Sequence, residues 1–169
     1  MIRRFAKKTQ HKDKKKLEEF LDKYKIPREA VAINRRSVSR GISIGLFIAF
    51  IPMPFQMLAL VALFPVFRFN IPLSFIMVWI SNPVTMPFMY YIEYLTGSMI
   101  LGNSVTSVEL TLEWFKEHID DIFIPLYIGA FFYSTLFASI FYYLINRLWI
   151  YSVRLEKSLK DKAKKGSED

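Results

Sequence analysis

The sequence predicts an all-α membrane protein, and three features of it lead to that class. Hydrophobic residues make up 53% of the 169 residues, and the mean hydropathy is positive at +0.23. Residues 41–67, 69–92 and 122–146 contain no charged side chain. Each stretch is long enough to span a membrane, because ~30 Å of hydrocarbon needs about 20 helical residues. Stretches this continuously apolar lack the polar outer face of a soluble helix.

Lysine and arginine are concentrated at the two ends of the chain. Residues 1–40 contain 14 Lys or Arg against 5 Asp or Glu, residues 41–146 contain 2 against 6, and residues 147–169 contain 7 against 4. By the positive-inside rule, both termini are expected in the cytoplasm. The three blocks are the predicted domains: a basic cytoplasmic amphipathic region, a membrane domain and a basic cytoplasmic tail.

The first apolar stretch, residues 41–67, is predicted to be a re-entrant helical hairpin. Pro52 and Pro54 interrupt it near its middle and leave two pieces that are too short to cross alone. Three full crossings would place the basic termini on opposite sides of the membrane, whereas a hairpin returns Arg68 and Asn70 to the cytoplasmic side. Which of the two proline-broken stretches is re-entrant is left open by the sequence.

The second stretch, residues 69–95, is predicted to cross outward as a transmembrane helix broken at Pro83 and Pro87. Residues 103–121 then form an acidic external loop or helix, and residues 122–146 cross back as a second transmembrane helix. The polar side chains at the two breaks are Gln56, Ser81, Asn82 and Thr85. Backbone left unpaired at this depth must be satisfied by protein or water, so we expect the two breaks to lie close together.

A basic amphipathic helix is predicted before the membrane domain. The apolar residues Leu17, Phe20, Leu21 and Tyr24 recur at helical spacing among lysines. Such a helix is expected to bind anionic lipid headgroups. Nucleic-acid binding is not expected, because the chain has no recognition motif and no stacking aromatic residues among the cations. Residues 160–169 are expected to be disordered.

Arg68 and Glu93 are the only charged residues between positions 41 and 108. An ionisable group near the membrane core is a functional candidate by default. In the predicted topology the two residues flank the second span at opposite ends, which favours interpreting both as interface anchors. If the second stretch were the hairpin instead, they could pair.

The composition argues against several classes of catalytic site. The chain contains no cysteine, and its two histidines, His11 and His118, are far apart with no metal-ligand pattern around them. No metal and no cofactor are therefore expected. Hydrolysis or group transfer needs a nucleophile with a base or a metal, so we expect no enzymatic activity.

Three motifs between Pro27 and Gly102 resemble one known family. They are G-I-S-I-G-L-F-I-A-F-I-P-M-P-F-Q at 41–56, R-F-N-I-P at 68–72 and W-I-S-N-P-V-T at 79–85. These motifs are similar to those of the DUF2062 family of bacterial membrane proteins. Ala49 stands where such proteins usually have a second glycine. The resemblance implies a multi-pass protein of the bacterial inner (cytoplasmic) membrane but no established biochemical activity.

Two functional hypotheses follow from these features. The favoured one is a small transporter-like or lipid-handling component with a polar site at the paired breaks. Its predicted substrate-binding residues are Gln56, Arg68, Asn70, Ser81, Asn82 and Thr85, and its predicted structural breaks are Pro52, Pro54, Pro83 and Pro87. The alternative is a non-catalytic scaffold or assembly subunit that anchors a cytoplasmic partner. Because one protomer has few membrane elements, a homo-oligomer is expected.

Overall fold

A computed structural model of the chain describes residues 18–19, 21–23, 27–102 and 119–165, and every regular element in them is a helix. A short 3-10 turn, Arg28–Val31, precedes the main helices. The five α-helices are α1 (Arg35–Ala49), α2 (Gln56–Phe67), α3 (Ile71–Val78), α4 (Met86–Leu101) and α5 (Ile119–Lys165). The predicted all-α class is therefore confirmed for the part of the chain that is described.

The first apolar stretch folds back on itself between α1 and α2. α1 begins after Asn34, whose side chain accepts a hydrogen bond from the Ser37 amide, and it ends at Ala49 before the two prolines. α2 then returns to the start of α1, where the Arg40 guanidinium donates to the Phe67 carbonyl at 3.0 Å. The break and the reversal of the chain are seen, while entry of this hairpin into a membrane stays a prediction.

α3 lies parallel to α1 because two glycines allow their backbones to touch. The Asn70 amide donates to the Ser37 carbonyl at 3.1 Å. A Cβ atom added at Gly41 would lie 2.7 Å from the Asn70 carbonyl oxygen, and one at Gly45 would lie 2.6 Å from the Ser74 carbonyl oxygen. Any larger residue would push the helices apart. A small core that joins α1, α2 and α3 is formed by Ile48, Leu60, Phe69 and Val78.

α4 packs antiparallel to α5 at an even closer crossing. A Cβ atom at Gly97 would overlap the Pro125 carbonyl, and a Cβ atom at Gly129 would overlap the Glu93 carbonyl. Because position 97 meets 125 and position 93 meets 129, the two helices run in opposite directions. We refer to this contact of Glu93, Gly97, Pro125 and Gly129 as the α4–α5 seam.

α5 also packs against α1 and extends well beyond it. The Phe47 ring meets Phe131 edge-on, and the Phe50 ring stacks on Phe137 with centroids 4.8 Å apart. Among the described residues, α5 is the one helix that is long and apolar enough by itself to cross a membrane, and only 17% of its most apolar window is buried.

The C-terminal end of the chain is helical for longer than the sequence suggested. The expectation of disorder from residue 160 is wrong up to Lys165, where α5 ends. Residues 147–165 consist largely of Leu, Lys, Arg, Glu and Ala, which have high helix propensity and extend a helix that is already nucleated.

Two other predicted segments lie outside the described residues. Leu17, Phe20 and Tyr24 of the predicted amphipathic helix are among them, although residues 18–19 and 21–23 are helical and Leu21 is buried. Residues 103–118 of the predicted acidic segment are also outside the described part.

Candidate functional site

The two proline-containing breaks meet through a hydrogen bond between buried side chains. The Ser81 hydroxyl, after α3, donates to Oε1 of Gln56, the first residue of α2, at 2.9 Å. The sequence expectation that the breaks lie close together is confirmed. Pro52 and Pro54 lie in the first break, Pro83 lies in the second, and Pro87 is the second residue of α4.

Gln56 closes the end of α1 with its amide group. The side chain is only 8% exposed. Its Nε2 atom lies 3.3, 3.5 and 3.1 Å from the carbonyl oxygens of Ile48, Ala49 and Ile51. Where α1 stops, the Ile48 and Ile51 carbonyls accept only turn hydrogen bonds, from the amides of Ile51 and Met53, and the Gln56 side chain adds a second donor to each.

The side chains of Asn82 and Thr85 likewise form hydrogen bonds with the backbone of the second break. Asn82 Oδ1 accepts hydrogen bonds from the amides of Val84 and Thr85, at 2.9 and 3.2 Å. The Asn82 amide in turn donates to Thr85 Oγ1 at 3.0 Å. The side chains thus hold a turn between α3 and α4 in which proline has removed one backbone donor.

Three polar residues of the breaks, Gln56, Ser81 and Asn82, line an open groove of about 590 Å³. Most of its lining is apolar, and the full set is Phe55, Gln56, Met57, Leu58, Val78, Trp79, Ser81, Asn82 and Pro83. Phe55 is held in the left-handed backbone conformation with φ of 60°, and its side chain is 80% exposed at the groove. Such a conformation is unfavourable for a bulky residue.

The groove is level with the middle of the apolar part of α5. On the α5 side, the rings of Tyr133 and Phe137 stack on Phe50, which directly follows α1. The Tyr127 hydroxyl donates to the Pro52 carbonyl. Because these three α5 residues lie within the charge-free stretch 122–146, both breaks are far from the charged ends of the bundle.

Arg68 and Asn70 lie at the opposite end of α1 from the groove. Asn70 is buried, accepts a hydrogen bond from the Leu73 amide at 3.0 Å and donates to the Ala32 carbonyl at 3.0 Å. Arg68 is exposed, with its guanidinium 3.8 Å from the Glu29 carboxylate. The six predicted site residues therefore form two separate groups, four at the breaks, of which Gln56, Ser81 and Asn82 line the groove, and two near the start of α1.

Glu93 is the polar residue that the sequence interpretation undervalued. It is only 1% exposed, and neither carboxyl oxygen has a hydrogen-bond partner in the described part of the chain. The Ser98 hydroxyl on the same helix is also buried without a partner. The signal available in the sequence was an acidic residue four positions before Gly97, on the same face of a helix that is otherwise free of charge.

The match to a family model covers residues 19–158, which is most of the chain. The model is described as an uncharacterized protein conserved in bacteria, DUF2062. The chain belongs to the DUF2062 family. No match was found among curated proteins or among solved structures. Within the described residues, no group of three or more His, Cys, Asp or Glu side chains is placed to hold a metal ion.

Proposed function

We propose that this DUF2062 protein is a multi-pass inner-membrane protein that binds an amphipathic lipid in the groove where the two breaks meet. The observation that carries the proposal is the composition of the groove. Its lining is mostly apolar and includes three polar residues, Gln56, Ser81 and Asn82. A mostly apolar site with few polar groups suits a ligand that has the same division of surface.

The membrane location is supported by apolar side chains that face outward. Phe131, Phe132 and Leu136 on α5 are exposed, as are Val61 on α2 and Ile76 on α3. Apolar surface of this extent is unfavourable in water and is expected against lipid tails. Helices α3 and α4 together run antiparallel to α5, which fits one outward and one inward crossing with both termini in the cytoplasm.

Anionic headgroups are proposed to bind at a second place, away from the groove, because cations from three segments gather at the opposite end of the bundle. Arg36 and Arg40 of α1 and Arg68 after α2 are exposed there. Val38 of α1 and Trp149 of α5 line a common cavity, so the basic end of α5 lies beside them. Cations near a cytoplasmic leaflet attract anionic lipid by about 1 kcal/mol each.

The unfavourable backbone of Phe55 also supports ligand binding at the groove. A non-glycine residue in the left-handed region costs of order 1–3 kcal/mol and persists where the surrounding structure imposes it, often at ligand sites. Here it turns an exposed aromatic ring toward the groove, directly before Gln56. The ring is then available to contact an acyl chain.

The test is lipid retention by a protein whose groove has been filled. Leu58 lines the groove, and Val61 is an exposed residue of the same helix that does not. Phosphatidylglycerol or phosphatidylcholine is titrated into delipidated wild type, Leu58→Trp and Val61→Trp in detergent, and bound lipid is counted by native mass spectrometry. We expect wild type and Val61→Trp to retain one stoichiometric phospholipid, with either headgroup, that Leu58→Trp has lost. Equal lipid counts in all three proteins would overturn the proposal.

A scaffold role is the second candidate, and one observation favours it. The side chains of Gln56, Asn82 and Thr85 are already engaged with the backbone, as expected if the breaks serve the fold alone. In that case the groove would hold no stoichiometric lipid, and a cytoplasmic partner would be sought through the basic N-terminal region.

A further inference from the structure

The carboxyl group of Glu93 lies in an environment that does not support a negative charge. Residue 93 is at the α4–α5 seam, where its backbone carbonyl would overlap a Cβ atom placed on Gly129. The side chain is buried, and both oxygens lack hydrogen bonds. An ionised carboxylate without water or a partner is strongly destabilised, whereas the neutral acid is tolerated far better.

The groups that face Glu93 offer no compensating positive charge. On its own helix, Tyr90 is within electrostatic range of Glu93 and of Tyr127. On α5, the Tyr127 hydroxyl is engaged with the Pro52 carbonyl, and the Tyr133 hydroxyl is 3.0 Å from Thr96 Oγ1. Neither α4 nor residues 122–146 of α5 contain Lys, Arg or His. Among the described residues, the titratable groups that face Glu93 are therefore tyrosines.

We propose that Glu93 is a proton-binding site, at which the closed α4–α5 seam holds the neutral acid and an opened seam releases the proton. The step is a simple dissociation: the carboxyl O–H bond breaks, the electron pair stays on the carboxylate, and the proton passes to water that enters the opened seam. Carboxyl groups buried in membrane helices are suited to such proton exchange. The proposal does not depend on lipid binding in the groove.

A proton fits this seam better than a metal cation does. At Gly97 and Gly129 the helix backbones are so close that not even a methyl group has room. A sodium ion needs space and several oxygen ligands, while a proton needs only the carboxyl oxygen. Because opening exposes the carboxylate to water and closing excludes it, proton binding and helix movement are coupled through the same desolvation energy.

The protonation state is tested directly by infrared spectroscopy of the purified full chain in detergent at neutral pH. The difference spectrum between wild type and Glu93→Gln should contain the C=O stretching band of one protonated carboxyl group in the wild type. Asp121→Asn is the matched control, because Asp121 is an exposed acid at the start of α5 and its removal should leave the band in place. Carboxylate bands instead of the acid band would overturn the proposal.

The coupling to helix packing is tested by thermal unfolding from mildly acidic to alkaline pH. The closed seam holds the neutral form, so raising the pH favours the open, ionised form and should lower the Tm of wild type. Glu93→Gln mimics the neutral acid, and its Tm should lose this dependence, while Asp121→Asn should keep it. Parallel scans in sodium chloride and choline chloride distinguish the ion: a sodium-specific rise in the Tm of wild type that Glu93→Gln lacks would overturn the proton in favour of sodium. If Glu93→Gln does not fold, the infrared band of wild type across the same pH range decides, and a band that does not decline at alkaline pH contradicts exchange.

Discussion

The two buried polar regions of this protein differ in how their side chains are satisfied. At the breaks, Gln56 uses both ends of its amide group, with carbonyls of α1 on one side and the Ser81 hydroxyl on the other. On α4, the carboxyl group of Glu93 and the hydroxyl of Ser98 have no hydrogen-bond partner among the described residues. Since buried polar groups are nearly always paired, the first region is explained by the fold and the second is not. Polar residues beside prolines are thus weaker markers of chemistry here than a lone acid on a glycine-lined helix face.

The largest loss of stability is expected from Gly129→Ala, which places a methyl group where the backbones of α4 and α5 touch. The added Cβ would overlap the Glu93 carbonyl, which is backbone and cannot rotate away. Overpacking typically costs about 1–3 kcal/mol where side chains can adjust, so we expect at least the upper end here. Size-exclusion chromatography and thermal unfolding in detergent should show loss of the folded protein.

The control for this substitution is Gly102→Asn. Gly102 follows α4 with φ of 71°, and an added Cβ there meets nothing within 4 Å. Asparagine tolerates the left-handed conformation better than other non-glycine residues, so the Tm should change little. Equal stability of Gly129→Ala and wild type would mean that the seam is not as close as described.

Gln56→Ala should produce the next largest loss of stability. The substitution removes the hydrogen bonds of the amide to carbonyls at the end of α1 and to the Ser81 hydroxyl, while the Ile48 and Ile51 carbonyls keep backbone donors and Ser81 keeps the Val78 carbonyl. Each hydrogen bond is worth about 0.5–1.5 kcal/mol, so the loss of several should lower the free energy of unfolding by about 1–3 kcal/mol. Unfolding in mixed SDS micelles measures the change. If Gln56→Ala were as stable as wild type, the hydrogen bonds of the amide would not stabilise the fold. The contrast between a satisfied Gln56 and an unsatisfied Glu93 would then fail, and the amide would be free for a ligand.

Asn70→Ala and Arg68→Ala should separate two neighbours that the sequence placed in the same predicted site. Asn70 makes two buried side-chain hydrogen bonds, each worth about 0.5–1.5 kcal/mol, so its loss should lower the free energy of unfolding by about 1–3 kcal/mol. Arg68 makes one exposed ion pair, and such pairs contribute about 0–1 kcal/mol. The same SDS unfolding assay ranks the two, and a larger loss for Arg68→Ala would contradict this order.

The sequence was sufficient for the helical class and for the position of both breaks. Prolines at 52, 54 and 83 end helices by removing donors, a local effect that needs no tertiary information. The meeting of the breaks could also be predicted, because unpaired backbone at that depth requires a polar partner from the same protein.

The sequence was not sufficient for the roles of the polar side chains. From the sequence, Gln56 is predicted to be a ligand group. The structure shows that its partners include the carbonyls of Ile48 and Ile51, and backbone acceptors leave no trace in the amino-acid pattern. From the sequence, Glu93 is predicted to be an interface anchor. Its burial could not be predicted, because the seam depends on Gly97 meeting α5, which is a pairing of distant segments. Local patterns predict where a chain bends, but the pairing of helices decides which polar groups remain unsatisfied.

The smallest expected effect sharpens the comparison most, because it uses the same substitution in both regions. Ser81→Ala removes a hydroxyl that donates to Gln56 at 2.9 Å, and it should lower the free energy of unfolding by about 0.5–1.5 kcal/mol. Ser98→Ala removes a buried hydroxyl that has no partner, so it should be neutral or slightly stabilising, since the desolvation cost of that hydroxyl disappears. Both variants are measured by SDS unfolding in the absence of added lipid. If Ser98→Ala were as destabilising as Ser81→Ala, the Ser98 hydroxyl would have a partner in the folded protein, and α4 would not differ from the breaks in this respect.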